Sequence, residues 1–214
     1  MTEIQFNEIK ERLKQWRQER HLTYENQRKD FLGNVFEKAS EYFRAKDDLE
    51  RVEALCDIAV FCFNAFDIID FDYYCEFCSN NENIEIYNLT DEISEVCCKV
   101  IKKLHVKTSI PRIISYCQYL CKNLGFDFYK CMLEKIKEIE SRKGYYDKGL
   151  NKFTKDKGAY NTKEAYDKFL KENISDDFYI LEDNEEFVIF DKENDFALDK
   201  FKKWYKADYE SCRI

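Results

Sequence analysis

A single proline, Pro111, and five glycines interrupt 214 residues, and this scarcity of turn formers constrains the fold more than any other feature of the chain. An all-β sandwich or barrel needs turn signals every ~8–12 residues. Long helices joined by short polar connections do not, so an all-α helical bundle is expected. Apolar residues make up 44% of the chain and aromatic ones 16%, enough to bury a core and too much for a disordered acidic chain.

The formal charge of −8 argues against a nucleic-acid polymer as partner, because that contact needs clustered lysines and arginines to displace phosphate counterions. The opening residues Met1 to Phe6 show neither the basic nor the apolar region of a secretory signal. The most apolar stretch, Ala54 to Phe71, carries Asp57, Asp67 and Asp70, a density of charge that a membrane span does not tolerate. A cytoplasmic protein with no membrane partner is expected, its ten cysteines reduced and acting as small buried apolar groups. A zinc module is a competing reading of Cys75 and Cys78, a CxxC pair. The other pair, Cys97 and Cys98, is adjacent in sequence, and the two histidines, His21 and His105, complete no metal-ligand spacing. Neither GxxxxGK[ST] nor GxGxxG occurs, so no glycine loop cradles a phosphate.

Apolar residues recur at helical spacing in six segments of residues 1–144. Phe6, Ile9, Leu13 and Trp16 mark a first helix ending near Arg20. A second runs from Tyr24 to Lys46, and Asp47 and Asp48 open a third that continues to about Ile69. The connection between these two is so short that they must pack antiparallel. Ser79 to Asn83 reads as a loop. Thr90 opens a fourth helix to about His105, Ser109 and Pro111 a fifth closed by Gly125, and Asp127 a sixth with the stripe Met132, Ile136 and Ile139, ending at Gly144. Residues 145–214 read as an appendage: a lysine-rich loop, a short helix from Lys163 to Glu172, a β-hairpin of Phe178–Leu181 and Phe187–Phe190, and a C-terminal tail.

Carboxylates pair on the second and third helices. Glu37 and Glu41 lie four apart on one, Glu53 and Asp57 four apart on the other, so each pair shares a helix face. A hairpin turning about Asp47 sets Glu41 opposite Glu53 and Glu37 opposite Asp57, with Glu50 one turn before Glu53. Four acids in one seam repel unless a cation joins them, and Mg²⁺ prefers such oxygens. With 43 acidic residues in the chain, such pairs also arise by chance on solvated faces. Asp57 is harder to assign to chance, because it is embedded in an apolar run and needs a partner there. Gln27, Asn34 and Glu41 recur every seven residues as a polar stripe, and Asn64 lies two turns beyond Asp57 on its face.

These residues resemble the all-α nucleoside triphosphate pyrophosphohydrolases, a superfamily that includes MazG-like enzymes of phage and bacterial type and dimeric dUTPases. The family carries ExxE on one helix and ExxD on the next. Here Glu37 to Glu41 stands where EExxE is frequent, and Glu53 to Asp57, followed by an apolar run, stands where ExxD does. The likeness continues through Gly125 to Glu134, Glu138 to Arg142, and the ending Trp204 to Cys212. Lys38 and Ala54 occupy positions that are glutamate in the strict motifs, so Glu37 and Glu53 serve from one residue earlier or Glu50 helps.

The resemblance implies Mg²⁺-dependent hydrolysis of a ribo- or deoxyribonucleoside triphosphate to the monophosphate and pyrophosphate, with Mn²⁺ as substitute. Glu37, Glu41, Glu53 and Asp57 would be both metal ligands and catalytic, with Glu50 a further ligand. Gln27, Asn34 and Asn64 would meet base or sugar. Lys135, Arg142 and Lys143 would meet the outer phosphates, and Lys148 and Lys152 either belong to a solvated loop or close over them. A homodimer or homotetramer is implied. The alternative is a non-catalytic helical nucleotide-binding or regulatory protein of the same fold, a reading that Lys38 and Ala54 favour.

Overall fold

A computed structural model describes residues 1–67, 71–79, 83–147, 149–150, 152–172 and 177–214. It is mostly helical, with a small sheet region toward the C-terminus. The chain divides into two compact units, residues 1–136 with 208–214, and residues 137–207. The closing residues thus belong to the bundle rather than to the appendage.

The first unit is built on α1 (Glu3–Glu19), α2 (Tyr24–Arg44), α3 (Asp48–Ala65), α4 (Phe71–Ser79), α5 (Ile86–Ile101), α6 (Ser109–Asn123) and the greater part of α7 (Phe128–Ser141). Thr2 and Thr23 open α1 and α2 with capping boxes, and the Asp47 side chain accepts the Glu50 amide at 2.9 Å to open α3. The helix α3 is buried on nearly every side, with Val52, Leu55, Cys56, Ile58, Ala59 and Cys62 fully enclosed. Its aromatic neighbours come from the same chain: Phe63 packs on Phe6 at 5.2 Å between ring centres, and Phe66 meets Phe31 edge-on at 4.9 Å. That contact is made by a Phe66 in extended conformation, so α3 ends at Ala65, short of the expected Ile69, which lies outside the described residues.

Two further differences from the sequence expectation have local causes. The helix α4 has no counterpart among the expected elements. It is short and aromatic-rich, and is fixed by the buried Tyr74, whose ring lies 5.0 Å from Phe6. The helix α5 starts at Ile86, a turn before Thr90, because Asn88 and Glu85 form its capping box. It stops at Ile101, short of His105, because Lys103 adopts a left-handed conformation (φ 56°). The Leu104 amide then reaches back to the Lys99 carbonyl at 2.8 Å, the closure usually made with glycine. His21 ends α1 in the same manner (φ 53°), whereas α6 ends on Gly125 (φ 86°). The C-terminus returns to this corner: the Asp127 amide donates to the Cys212 carbonyl and the Ile214 amide to that of Gly125, each at 2.9 Å.

The second unit holds the last residues of α7 and an antiparallel hairpin of β1 (Gly144–Asp147) and β2 (Lys152–Lys155). The expected lysine-rich loop is therefore in large part a strand pair. A four-stranded sheet follows, in the order β3 (Gly158–Ala159), β6 (Ala197–Lys203), β5 (Glu186–Asp191), β4 (Phe178–Glu182), with β3 parallel to β6 and the other pairs antiparallel. The hairpin β4–β5 is the one expected from sequence. The helix α8 (Thr162–Glu172) contributes Ala165 and Phe169 to a core shared with Phe178, Phe187, Ile189 and Phe201. Gly158 allows close approach of the Trp204 indole, since a Cβ there would stand 2.1 Å from Nε1. Among the described residues, no helix is long and apolar enough to cross a membrane.

Candidate functional site

Ala45, Lys46 and Asp47 separate α2 from α3 and fold the second back along the first. That return brings Glu41, Glu53 and Asp57 into one seam. What joins them is lysine. The Lys38 ammonium on α2 lies 2.8 Å from Glu41 Oε2 and 3.4 Å from Asp57 Oδ2. Lys135 on α7 lies 2.8 Å from Asp57 Oδ1 and 3.4 Å from Glu53 Oε1. Asp57 is thus held on both oxygens, and Glu41, Asp57 and Glu53 form one chain of alternating charge.

The two lysines are placed differently. Lys135 is 3% exposed, in the buried stripe of α7 beside Met132 and Ile136, so its charge depends on Asp57 and Glu53 for solvation. The Lys38 side chain is 22% exposed. Burial alone would lower its pKa, but the hydrogen bond to Glu41 and the charges of Asp57 and Glu41 outweigh that and hold it above the ordinary lysine value.

The remaining acids stand apart. Glu37 is exposed on α2, and Glu50 is exposed with its carboxylate accepting the Lys46 amide at 2.7 Å. That places Glu50 on the connection rather than in the seam. Ala54 is 1% exposed and brings no oxygen. Glu41, Glu53 and Asp57 have the oxygen chemistry a hard divalent cation prefers, but the arrangement does not fit one. The ammonium groups of Lys38 and Lys135 sit on the oxygens it would need. Among the described residues, no group of three or more His, Cys, Asp or Glu is arranged to hold a metal ion. Of the cysteines of the zinc reading, Cys75 and Cys98 are exposed and Cys97 is half-buried, while the side chain of Cys78 lies outside the described residues. Cys56, Cys62, Cys117, Cys121, Cys131 and Cys212 are buried free thiols.

Of the residues expected to meet base or sugar, Gln27 and Asn34 are half-buried on α2. Asn64 is 3% exposed and accepts Arg17 Nη1 at 2.7 Å. Arg17 also donates to the Phe63 carbonyl at 3.1 Å and to the Tyr24 hydroxyl at 2.8 Å, so Asn64 belongs to a buried structural network. Arg142 and Lys143 belong to the second unit. There Arg142 donates to Glu138 and to the Tyr160 hydroxyl, and Tyr160 donates to Glu138 at 2.8 Å. Burial, with that hydrogen bond, pushes the Tyr160 phenol up to about 12. Lys143 is exposed. Lys148 and the side chain of Lys152 lie outside the described residues.

The residue that sequence reasoning treated only as a departure from a motif, Lys38, stands at the centre of the seam. Its signal was its position, three before Glu41 on the same helix face. Searches of protein families, of curated proteins and of solved structures return no match to this chain.

Proposed function

We propose that this chain is a non-catalytic helical protein, nucleotide-binding or regulatory, on the bundle plan of the all-α pyrophosphohydrolases, with its own lysines in place of a metal. The observation that carries this reading is the Lys38 ammonium between Glu41 and Asp57. A cation entering the seam would have to displace Lys38 and also leave the buried Lys135 with a weakened partner, which is costly in a low-dielectric setting. The nucleotide part of the reading rests on the resemblance of the residues from Gln27 to Gly144 and of the tail. Titration calorimetry with Mg²⁺, alone and with a nonhydrolysable triphosphate, tests the metal part. No heat of Mg²⁺ binding is expected beyond that of the same titration into buffer or free nucleotide without protein.

A second reading is Mg²⁺-dependent hydrolysis of a nucleoside triphosphate to monophosphate and pyrophosphate. It is favoured by one feature: Glu41, Glu53 and Asp57 converge from two helices, and Lys38 is partly exposed, so its flexible stem has somewhere to go. Pyrophosphate release from a panel of nucleoside triphosphates, lost in Asp57→Asn, would establish this reading over the first.

A further inference from the structure

A cavity of about 520 Å³ lies where the end of α5 and the start of α6 meet Arg28 of α2 and the residues after α3. Its wall carries Arg28, Lys103 and Lys107, with His105 beside them. The one carboxylate among its described lining residues, Asp67, lies 4.0 Å from Lys10. A protein with a formal charge of −8 therefore keeps a locally positive cavity, which draws anions against its overall field.

Its construction is specific. Lys103 takes a left-handed backbone conformation (φ 56°), which costs a residue with a side chain about 1–2 kcal/mol, at a helix end where glycine would be free of strain. Arg28 is held in place, its Nε 3.2 Å from the Ala65 carbonyl and its guanidinium 5.2 Å from the Phe66 ring centre. Between the cations the lining is apolar, from Phe66, Leu104, Val106 and Ile110. Cations around an apolar floor suit a molecule with a phosphate at one end and an apolar or aromatic body at the other.

We propose that this cavity binds a small organic phosphate directly, without a metal ion. The site is distinct from the acidic seam and does not depend on the reading given to that seam. The probes are the four ribonucleoside monophosphates, with adenosine and inorganic phosphate as partial ligands, titrated by calorimetry in EDTA. At least one monophosphate should bind with one-to-one stoichiometry, at least about tenfold more tightly than either partial ligand, and more weakly as salt rises.

Lys103→Asn with Lys107→Gln should weaken it about tenfold or more. Asn is tolerated in the left-handed region, and the melting temperature should stay within about 2 °C of wild type. Glu53→Gln, in the seam, should leave the affinity unchanged. Failure of all four monophosphates to bind, adenosine binding as tightly as a monophosphate, or undiminished binding by the folded double variant would overturn the proposal. A loss in Glu53→Gln equal to that of the double variant would overturn it too, by moving the phosphate to the seam.

Discussion

The acidic seam of α2 and α3 and the basic cavity beside α5 and α6 are both charged, and they are built in opposite senses. In the seam each ammonium has carboxylates within 3.4 Å, and Lys135 is almost fully enclosed. In the cavity three cations share the wall with one described carboxylate, Asp67, which lies 4.0 Å from Lys10. Charges that satisfy one another inside a fold are costly to separate. Charges left facing a cavity contribute little to stability and are available to a ligand. The number of charged groups does not distinguish the two regions; their pairing does.

The sharpest way to break this comparison is to remove one cation from each region. Lys135→Met leaves Asp57 and Glu53 without their buried partner and should cost about 3–5 kcal/mol in urea unfolding. Lys103→Asn with Lys107→Gln should cost no more than about 0.5 kcal/mol. Equal costs would erase the distinction. Asp57→Asn removes the shared carboxylate while keeping its volume. It takes from Lys135 its shorter ion pair, for an expected loss of about 1–3 kcal/mol. A gain in stability would mean that the acids of the seam repel one another more than the lysines hold them.

The pH dependence follows from Lys38, whose folded pKa lies above its ordinary value. A base held more strongly protonated when folded stabilises the protein fully below the unfolded lysine pKa of about 10.4. That contribution fades as pH rises through the folded value. Stability lost above about pH 10.4 should be larger in wild type than in Lys38→Met, measured by urea midpoints along the alkaline limb. Parallel limbs would remove Lys38 from the account. The smallest effect compares two helix ends. His21→Gly and Lys103→Gly each relieve a left-handed residue and should each add about 0.5–1 kcal/mol. Lys103→Gly alone should weaken phosphate binding.

Much of the bundle was legible in the sequence, because capping residues and apolar spacing act locally. Asp47 and Asp127 open helices from within their first turn, and such signals survive without knowledge of the fold. The features that were missed depend on distant partners. Phe66 leaves the helix to meet Phe31, α4 is held by Tyr74 against Phe6, and β6 buries Phe201 alone among its residues, too weak an alternation to read as a strand. In the seam, spacing brought Glu41, Glu53 and Asp57 together, while Glu37 is exposed and Glu50 accepts the Lys46 amide. Lys38 was visible as a substitution in a motif. Its function as the bridging cation required the distance to Asp57, set by the packing of two helices, and that of Lys135 required a third.

The most direct test of the central claim, that lysine stands where a metal would otherwise be needed, is the melting temperature of wild type and of Lys38→Glu in EDTA and in millimolar Mg²⁺. Wild type should melt at the same temperature in both. Lys38→Glu, which replaces the bridging ammonium with a fourth carboxylate, should melt several degrees lower in EDTA and recover part of the loss with Mg²⁺. A wild-type melting temperature that rises by several degrees with Mg²⁺ would contradict the account and return the seam to a metal.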